Sequence, residues 1–111
     1  MIHHEFFHMI QAKHKMIFDE ALWSKFNRTS FKYAECSTCS DRTDLSIYKN
    51  TDGFLTEYSK SIPSEDMAEI FSFLMTNKEL VEKKIENDSI LKNKVRYLEK
   101  NLKLIDNNFI F

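Results

Sequence analysis

Residues 2–18 read IHHEFFHMIQAKHKMIF, a stretch without glycine or proline whose apolar positions Ile2, Phe6, Met9, Ile10 and Ile17 recur at helical spacing. The spacing predicts a first helix from residue 2 to about residue 18, with Phe6 and Phe7 packing it. On that helix His4 and His8 stand about 40° apart around the axis and one turn apart along it, so both imidazoles can reach one ion. Glu5 lies about 100° further round. From there it is poorly placed as a ligand, but it can take a proton from a water at the ion and pass it to a leaving amine. Two imidazoles and a carboxylate favour Zn2+, which brings the pKa of such a water to about 7. A helix with solvated His and Glu would carry the same five-residue pattern, so the weight of the motif rests on a third ligand elsewhere.

Two candidates for that ligand exist. His14 follows His8 in HEFFHMIQAKH, the spacing of a chain that doubles back after the second histidine, but Gln11 stands where that left-handed turn needs glycine. If the helix continues, His14 points about 120° away from His8. Lys13 and Lys15 beside it suggest a solvated face. The other candidate is the acidic start of a later helix, Glu65-Asp66-Met67-Ala68-Glu69. Glu65 and Glu69 share one face, as a metal ligand and a carboxylate orienting a ligand histidine would. An acidic first turn explains Glu65 and Asp66 without a metal. It does not explain Glu69, one turn into an apolar helix, where a buried carboxylate needs a positive partner.

Outward from these segments the chain reads as helical. A short helical piece is expected from Glu20 to Phe26, followed by a polar stretch from Asn27 to Gly53 that reads as a long loop, with room for one short strand at Ser46 to Lys49. Pro63 blocks helix on its N-terminal side, and Ser64 is available to cap a helix running to about Thr76. That helix carries Met67, Ala68, Ile70, Phe71, Phe73, Leu74 and Met75, apolar nearly all round, as expected for a buried central element. Asn77 and Asp88 read as caps for helices at Lys78 to Glu86 and Ser89 to Ile105. The last has Leu91, Val95, Leu98, Leu102 and Ile105 on one stripe and reads as a packing helix without chemistry.

With 111 residues the chain holds one domain, and 42% hydrophobic with 14% aromatic residues is enough material for a core. A formal charge of -1 gives no electrostatic footprint for nucleic acid or an anionic membrane surface. No run is long and apolar enough to span a membrane, and no signal peptide is visible. The motif begins at residue 4, so any targeting segment would lie upstream; compartment and oligomeric state stay open. Cys36 and Cys39 form a lone C-x-x-C, without the second pair that a zinc knuckle needs, and read as a local disulfide or two thiols.

HHEFFH at residues 3–8, followed by GFLTEYSKSIPSEDMAEIFSFLM at residues 53–75, resembles the gluzincin-type zinc metallopeptidases of bacteria and the related catalytic domain of anthrax lethal factor. In these a HExxH helix is followed by a G-F-(V/L)-(S/T)-x-Y segment and an E-x-x-A-E-x-F helix. Trp23, Asn27, Phe31 and Tyr33 extend the match, which covers nearly the whole chain. The resemblance implies that Glu65 is the third zinc ligand, that Glu69 stands behind a ligand histidine, and that Tyr58 donates to the oxyanion, a contact worth roughly 3 kcal/mol. It implies a zinc hydrolase acting on a peptide or protein. The fold expected is mainly α over residues 1–111, the C-terminal helical portion of a zincin-like catalytic domain with little or no sheet. In zincins a twisted sheet precedes the first helix and holds the substrate by backbone pairing. Here the expectation is a chain lacking that sheet, either because the reading frame begins upstream or because the chain is a catalytically inactive zinc-binding or helical interaction module.

Overall fold

The computed structural model describes residues 2–29, 31–33, 52–56 and 58–108. Cys36, Cys39 and the strand expected at Ser46 to Lys49 lie outside the described residues. Among the described residues five α-helices follow in order: α1 (Ile2–Lys13), α2 (Glu20–Ser24), α3 (Pro63–Thr76), α4 (Lys78–Ile85) and α5 (Ser89–Ile105), with a 3-10 turn at Tyr58–Lys60 ahead of α3. Among the described residues there is no strand, only an isolated bridge at Thr56. The mainly α class expected from the sequence is what the chain adopts.

α3 is the centre, and α1, α2, α4, α5 and the 3-10 turn all pack on it or on each other around it. Its buried side chains Met67, Ala68, Ile70, Phe71 and Leu74 meet Phe7 of α1, Trp23 of α2, Val81 of α4, and Leu91, Leu98 and Leu102 of α5. Met75 is exposed and Phe73 half-buried, so the far end of α3 is less enclosed than its sequence suggests.

α1 differs from expectation twice. It ends at Lys13 instead of about residue 18. The His14 N–H reaches back to the Ile10 and Gln11 carbonyls, and the chain then turns through residues 15–18. Asp19 restarts helix by accepting the N–H groups of Ala21 and Leu22. The break lets Phe18 and Trp23 enter the core at 1% and 0% exposure, with Phe18 edge-on to Phe7 at 5.2 Å between ring centroids. Burying each ring gains about 2–3 kcal/mol, whereas continuing a helix offers under about 1 kcal/mol per residue.

The second difference is the face that α1 buries. Ile2, Phe6 and Met9 are 83%, 51% and 63% exposed, and the inward stripe is His4, Phe7 and Gln11. Both polar members of that stripe are satisfied, His4 by Glu69 and Gln11 by donating to Glu20 at 3.2 Å. Both phenylalanines meet Phe71, Phe7 from full burial with its ring 5.2 Å away and Phe6 from the exposed side with its ring 6.3 Å away.

The helix starts are also corrected in part. α3 takes Ile62 as its N-cap with Pro63 in the first turn and no side-chain cap, so Ser64 sits inside the helix. Asn77 occupies the cap position of α4 without a side-chain bond. Asp88 does cap α5, accepting the Leu91 N–H at 2.9 Å through one carboxylate oxygen and the Gly53 N–H at 2.7 Å through the other. Gly53 has a φ of +93°, and a Cβ there would meet Ile90 Cγ2 at 2.5 Å, so the only glycine is fixed by both conformation and space.

α5, expected to be a plain packing helix, contributes a buried cation. Lys94 is fully buried, and its ammonium donates to Asp66 Oδ2 at 2.7 Å and to the Gly53 carbonyl at 2.8 Å, 3.9 Å from the centre of the Phe54 ring. The same Asp66 oxygen accepts Trp23 Nε1–H at 3.0 Å and the Tyr33 hydroxyl at 2.6 Å. Burial drives Asp66 up and Lys94 down, and each draws the other back towards its charged form. Burial and the neighbouring Asp66 push the Tyr33 phenol well above its ordinary range. Removing one partner of such a pair strands the other charge. Lys94→Met should therefore cost about 3–5 kcal/mol in urea denaturation at pH 7, and a loss below about 1 kcal/mol would contradict this account of the pair.

Candidate metal centre

Every group of the site hangs from α1, α3 and the turn between Thr56 and Ser61. The one-turn separation of His4 and His8 holds, with ring centroids 4.8 Å apart and the planes nearly perpendicular. α1 lies across the first two turns of α3, where Glu65 and Glu69 project from the same side. Glu65 and Glu69 are 8% and 5% exposed and His4 is 3% exposed, so three polar side chains meet with little water. His8 is part-buried at the mouth.

His4 donates from Nδ1 to Glu69 Oε2 at 2.9 Å, which fixes the ring and turns Nε2 towards α1's other histidine. His4 Nε2 lies 3.1 Å from His8 Nε2 and 3.5 Å from Glu65 Oε1, and His8 Nε2 is in contact with the same carboxylate oxygen. Bonds of about 2.0–2.1 Å at tetrahedral angles space ligand atoms about 3.3 Å apart. The His4–His8 and His4–Glu65 separations lie near that spacing, while His8 Nε2 and the Glu65 oxygen stand closer together than it.

Proton counting points the same way. A ring nitrogen either carries a proton or offers a lone pair, never both. Three mutually adjacent atoms, two of them ring nitrogens, cannot all be joined by linear hydrogen bonds: protonating both rings sets two N–H groups against each other, and protonating one leaves a lone pair facing the Glu65 oxygen. A single cation between them satisfies all three contacts. The residues present thus fit a zinc ion by donor type and charge.

Glu5 is exposed, and its carboxylate forms a group with the ring nitrogens of His4 and His8 in which all ligand atoms lie within 4.8 Å of one another. Glu65 is nearer to the rings than that limit and buried, so it suits the ligand position, while Glu5 suits a place one water away. Tyr58 stands on the other element of the site, its ring centroid 6.0 Å from that of His4. His14 is outside this group; it lines an apolar groove with Phe6, Met9 and Leu102.

Two sets of residues escaped the sequence reading. Thr56 and Ser59, both fully buried, bond to each other, and Thr56 donates to Glu69. Asp66 and Lys94 pin α3 from the side opposite the histidines. Lys94 had a signal, because it falls three residues after Leu91 and four before Leu98, on the buried stripe itself. Thr56 stood at the S/T position of the G-F-(V/L)-(S/T)-x-Y segment without a role being read from it, and Ser59 had no signal, since a hydroxyl's partner depends on the tertiary contact.

The metal-free cluster is held by shared protons. Burial works to lower the His4 pKa, but hydrogen bonds to Glu65 and Glu69 overcome it and raise it from 6.5 to about 9. Burial likewise opposes the Glu65 carboxylate, yet its bonds from His4 and His8 pull it from 4.5 down to about 2. A raised histidine stabilises fully below pH 6.5 and loses that contribution as pH rises through 9; a depressed carboxylate stabilises above pH 4.5 and loses it as pH falls through 2. Chelator-treated protein should thus be most stable between pH 4.5 and 6.5 and lose up to about 3 kcal/mol by pH 10. His4→Gln should flatten the alkaline limb in melts across that range.

A family model described as "Putative zinc-binding metallo-peptidase" matches residues 1–109. No match was found among curated proteins or among solved structures. The chain belongs to this zinc-binding metallopeptidase family.

Proposed function

We propose, starting from that family membership, that the chain is a gluzincin-type zinc metallopeptidase in which His4, His8 and Glu65 hold the ion, Glu5 is the general base and Tyr58 the oxyanion donor. The observation that carries the reading is the meeting of His4 Nε2, His8 Nε2 and Glu65 Oε1 at one point, with Glu5 alongside. The substrate is a peptide or protein, and the reaction is hydrolysis of a peptide bond.

When bound, a divalent zinc supplies Lewis acidity, lowering the pKa of a water and polarising a carbonyl. The protein's own groups do the rest. Glu69 holds His4 in the tautomer whose Nε2 lone pair faces the ion. Glu5, on the exposed side, takes a proton from the attacking water and delivers it to the departing amine. The Tyr58 hydroxyl donates to the oxygen that gains charge as the carbonyl becomes tetrahedral. Burial of Glu65, Glu69 and His4 keeps competing water from the ligand atoms.

Metal content of untagged protein and turnover of a mixed peptide pool test the assignment together. Wild type should carry one zinc per chain and cleave peptides, and a chelator should abolish cleavage. Glu5→Gln should keep the zinc while losing about 10²–10⁴ in kcat, and Tyr58→Phe should keep it while losing about 10²–10³. His8→Ala should lose the metal; retention of zinc by that variant would overturn the ligand set.

A further inference from the structure

Thr56 and Ser59 flank Tyr58 on the short turn before α3, and both are fully buried. Thr56 Oγ1 lies 2.9 Å from Glu69 Oε1 and 3.0 Å from Ser59 Oγ. The Ser59 N–H donates to Thr56 Oγ1 at 3.1 Å, and the Thr56 N–H donates to Ser59 Oγ at 3.4 Å. Each hydroxyl has one proton to give. The carboxylate has none, so Thr56 gives its proton to Glu69, and Ser59 gives its own to Thr56. Every donor then has an acceptor, and the order of bonds has one direction: Ser59 to Thr56 to Glu69 Oε1, while His4 Nδ1–H fills Oε2 at 2.9 Å.

We infer that Thr56 and Ser59 are positioning residues that join the Tyr58 turn to the Glu69–His4 pair, so that one hydroxyl relay fixes both the metal-ligand imidazole and the turn carrying the oxyanion donor. The inference rests on the zinc reading above and deepens it. With Glu69 held through Oε1, its Oε2 has a single orientation towards His4. The same Thr56 contact ties down both ends of the turn that presents Tyr58, whose carbonyl is held in addition by the Ser61 hydroxyl at 2.7 Å and the Ser61 N–H at 3.0 Å. Without the Thr56 hydroxyl, the carboxylate can rotate and the Ser59 N–H and O–H lose their shared acceptor. Metal affinity and Tyr58 placement then fall together, although neither residue touches the ion or the substrate.

The test compares Thr56→Val, which keeps the shape and removes the proton, with Thr56→Ser, which restores it. Zinc affinity of the full chain is measured by competition with a chromogenic chelator, beside the melting temperature of each metal-free protein. The ¹⁵N-imidazole spectrum of the zinc-loaded forms reports whether the His4 Nδ1 proton stays sheltered. Expected are a loss of about tenfold in affinity for Thr56→Val, the low end for groups behind a ligand, a broadened His4 Nδ1–H signal, and recovery to within about twofold by Thr56→Ser. Wild-type affinity and an unchanged signal in folded Thr56→Val would overturn the inference while leaving the zinc site intact. Failure of the wild type to bind zinc would instead overturn the proposed function, and this inference with it. Should Thr56→Val not fold, Ser59→Ala decides: a loss of threefold or more in affinity supports the relay, and no loss refutes it.

Discussion

Two adjacent carboxylates in the first turn of α3, Glu65 and Asp66, are both buried, and the surrounding elements turn partners towards them, those of Asp66 all gathering on Oδ2 while Oδ1 has no partner among the described residues. Neighbouring residues on a helix point about 100° apart, so their partners must come from different sides. Glu65 turns to the two imidazoles of α1, and Asp66 to the ammonium of α5, the indole of α2 and the Tyr33 phenol. A buried ion carries a desolvation penalty of several kcal/mol unless it is paired. Position near a helix N-terminus offsets about 1 kcal/mol of that at most. Docking of four elements supplies the remainder, which makes assembly of the site and assembly of the fold one event.

That constraint accounts for the unusual face that α1 presents. A surface helix ordinarily buries its apolar stripe. Here the stripe of Ile2, Phe6 and Met9 faces out, because the opposite side carries the histidine that Glu69 requires and the Phe7 ring that fills the space above Phe71. Phe7 gives about 2–3 kcal/mol by burial, and the hydrogen bonds of His4 and Gln11 about 1 kcal/mol each. Turning the helix over would bury three apolar side chains and leave Glu65 and Glu69 without partners in a dry site, which is the costlier arrangement.

The two sides of α3 also divide the work. On the histidine side His4 is raised and Glu65 lowered by the bonds between them, and the cluster has the donor types that could hold a cation. On the Lys94 side the charges are sealed at 0% exposure and bonded in place. The sealed side fixes where the N-terminus of α3 lies, and so holds Glu65 at a constant height against α1. Gly53 joins them in the chain: its carbonyl takes the Lys94 ammonium, and three residues on, Thr56 begins the contact with Glu69.

Much of this was legible in the residues alone. Periodicity gave the helical class and the run from α3 to α5, within a residue or two at each end. The H-E-x-x-H spacing put two imidazoles and a carboxylate on one helix, and the motif at residues 53–75 pointed to Glu65, Glu69 and Tyr58. Helical repeat geometry acts within about two turns, so sequence can specify which groups share a face. It cannot specify which face turns inward, since that is settled by what the other elements need: hence the reversed stripe of α1, its early end so that Phe18 can enter the core, and Lys94 as a buried cation. The meeting of His4 with Glu69 across 65 residues, and the hydroxyl order from Ser59 to Thr56 to Glu69, exist only once α1 lies across α3. Hydrogen bonds of about 3 Å demand a precision that residue spacing along one helix can supply only locally and that tertiary packing alone can supply between segments.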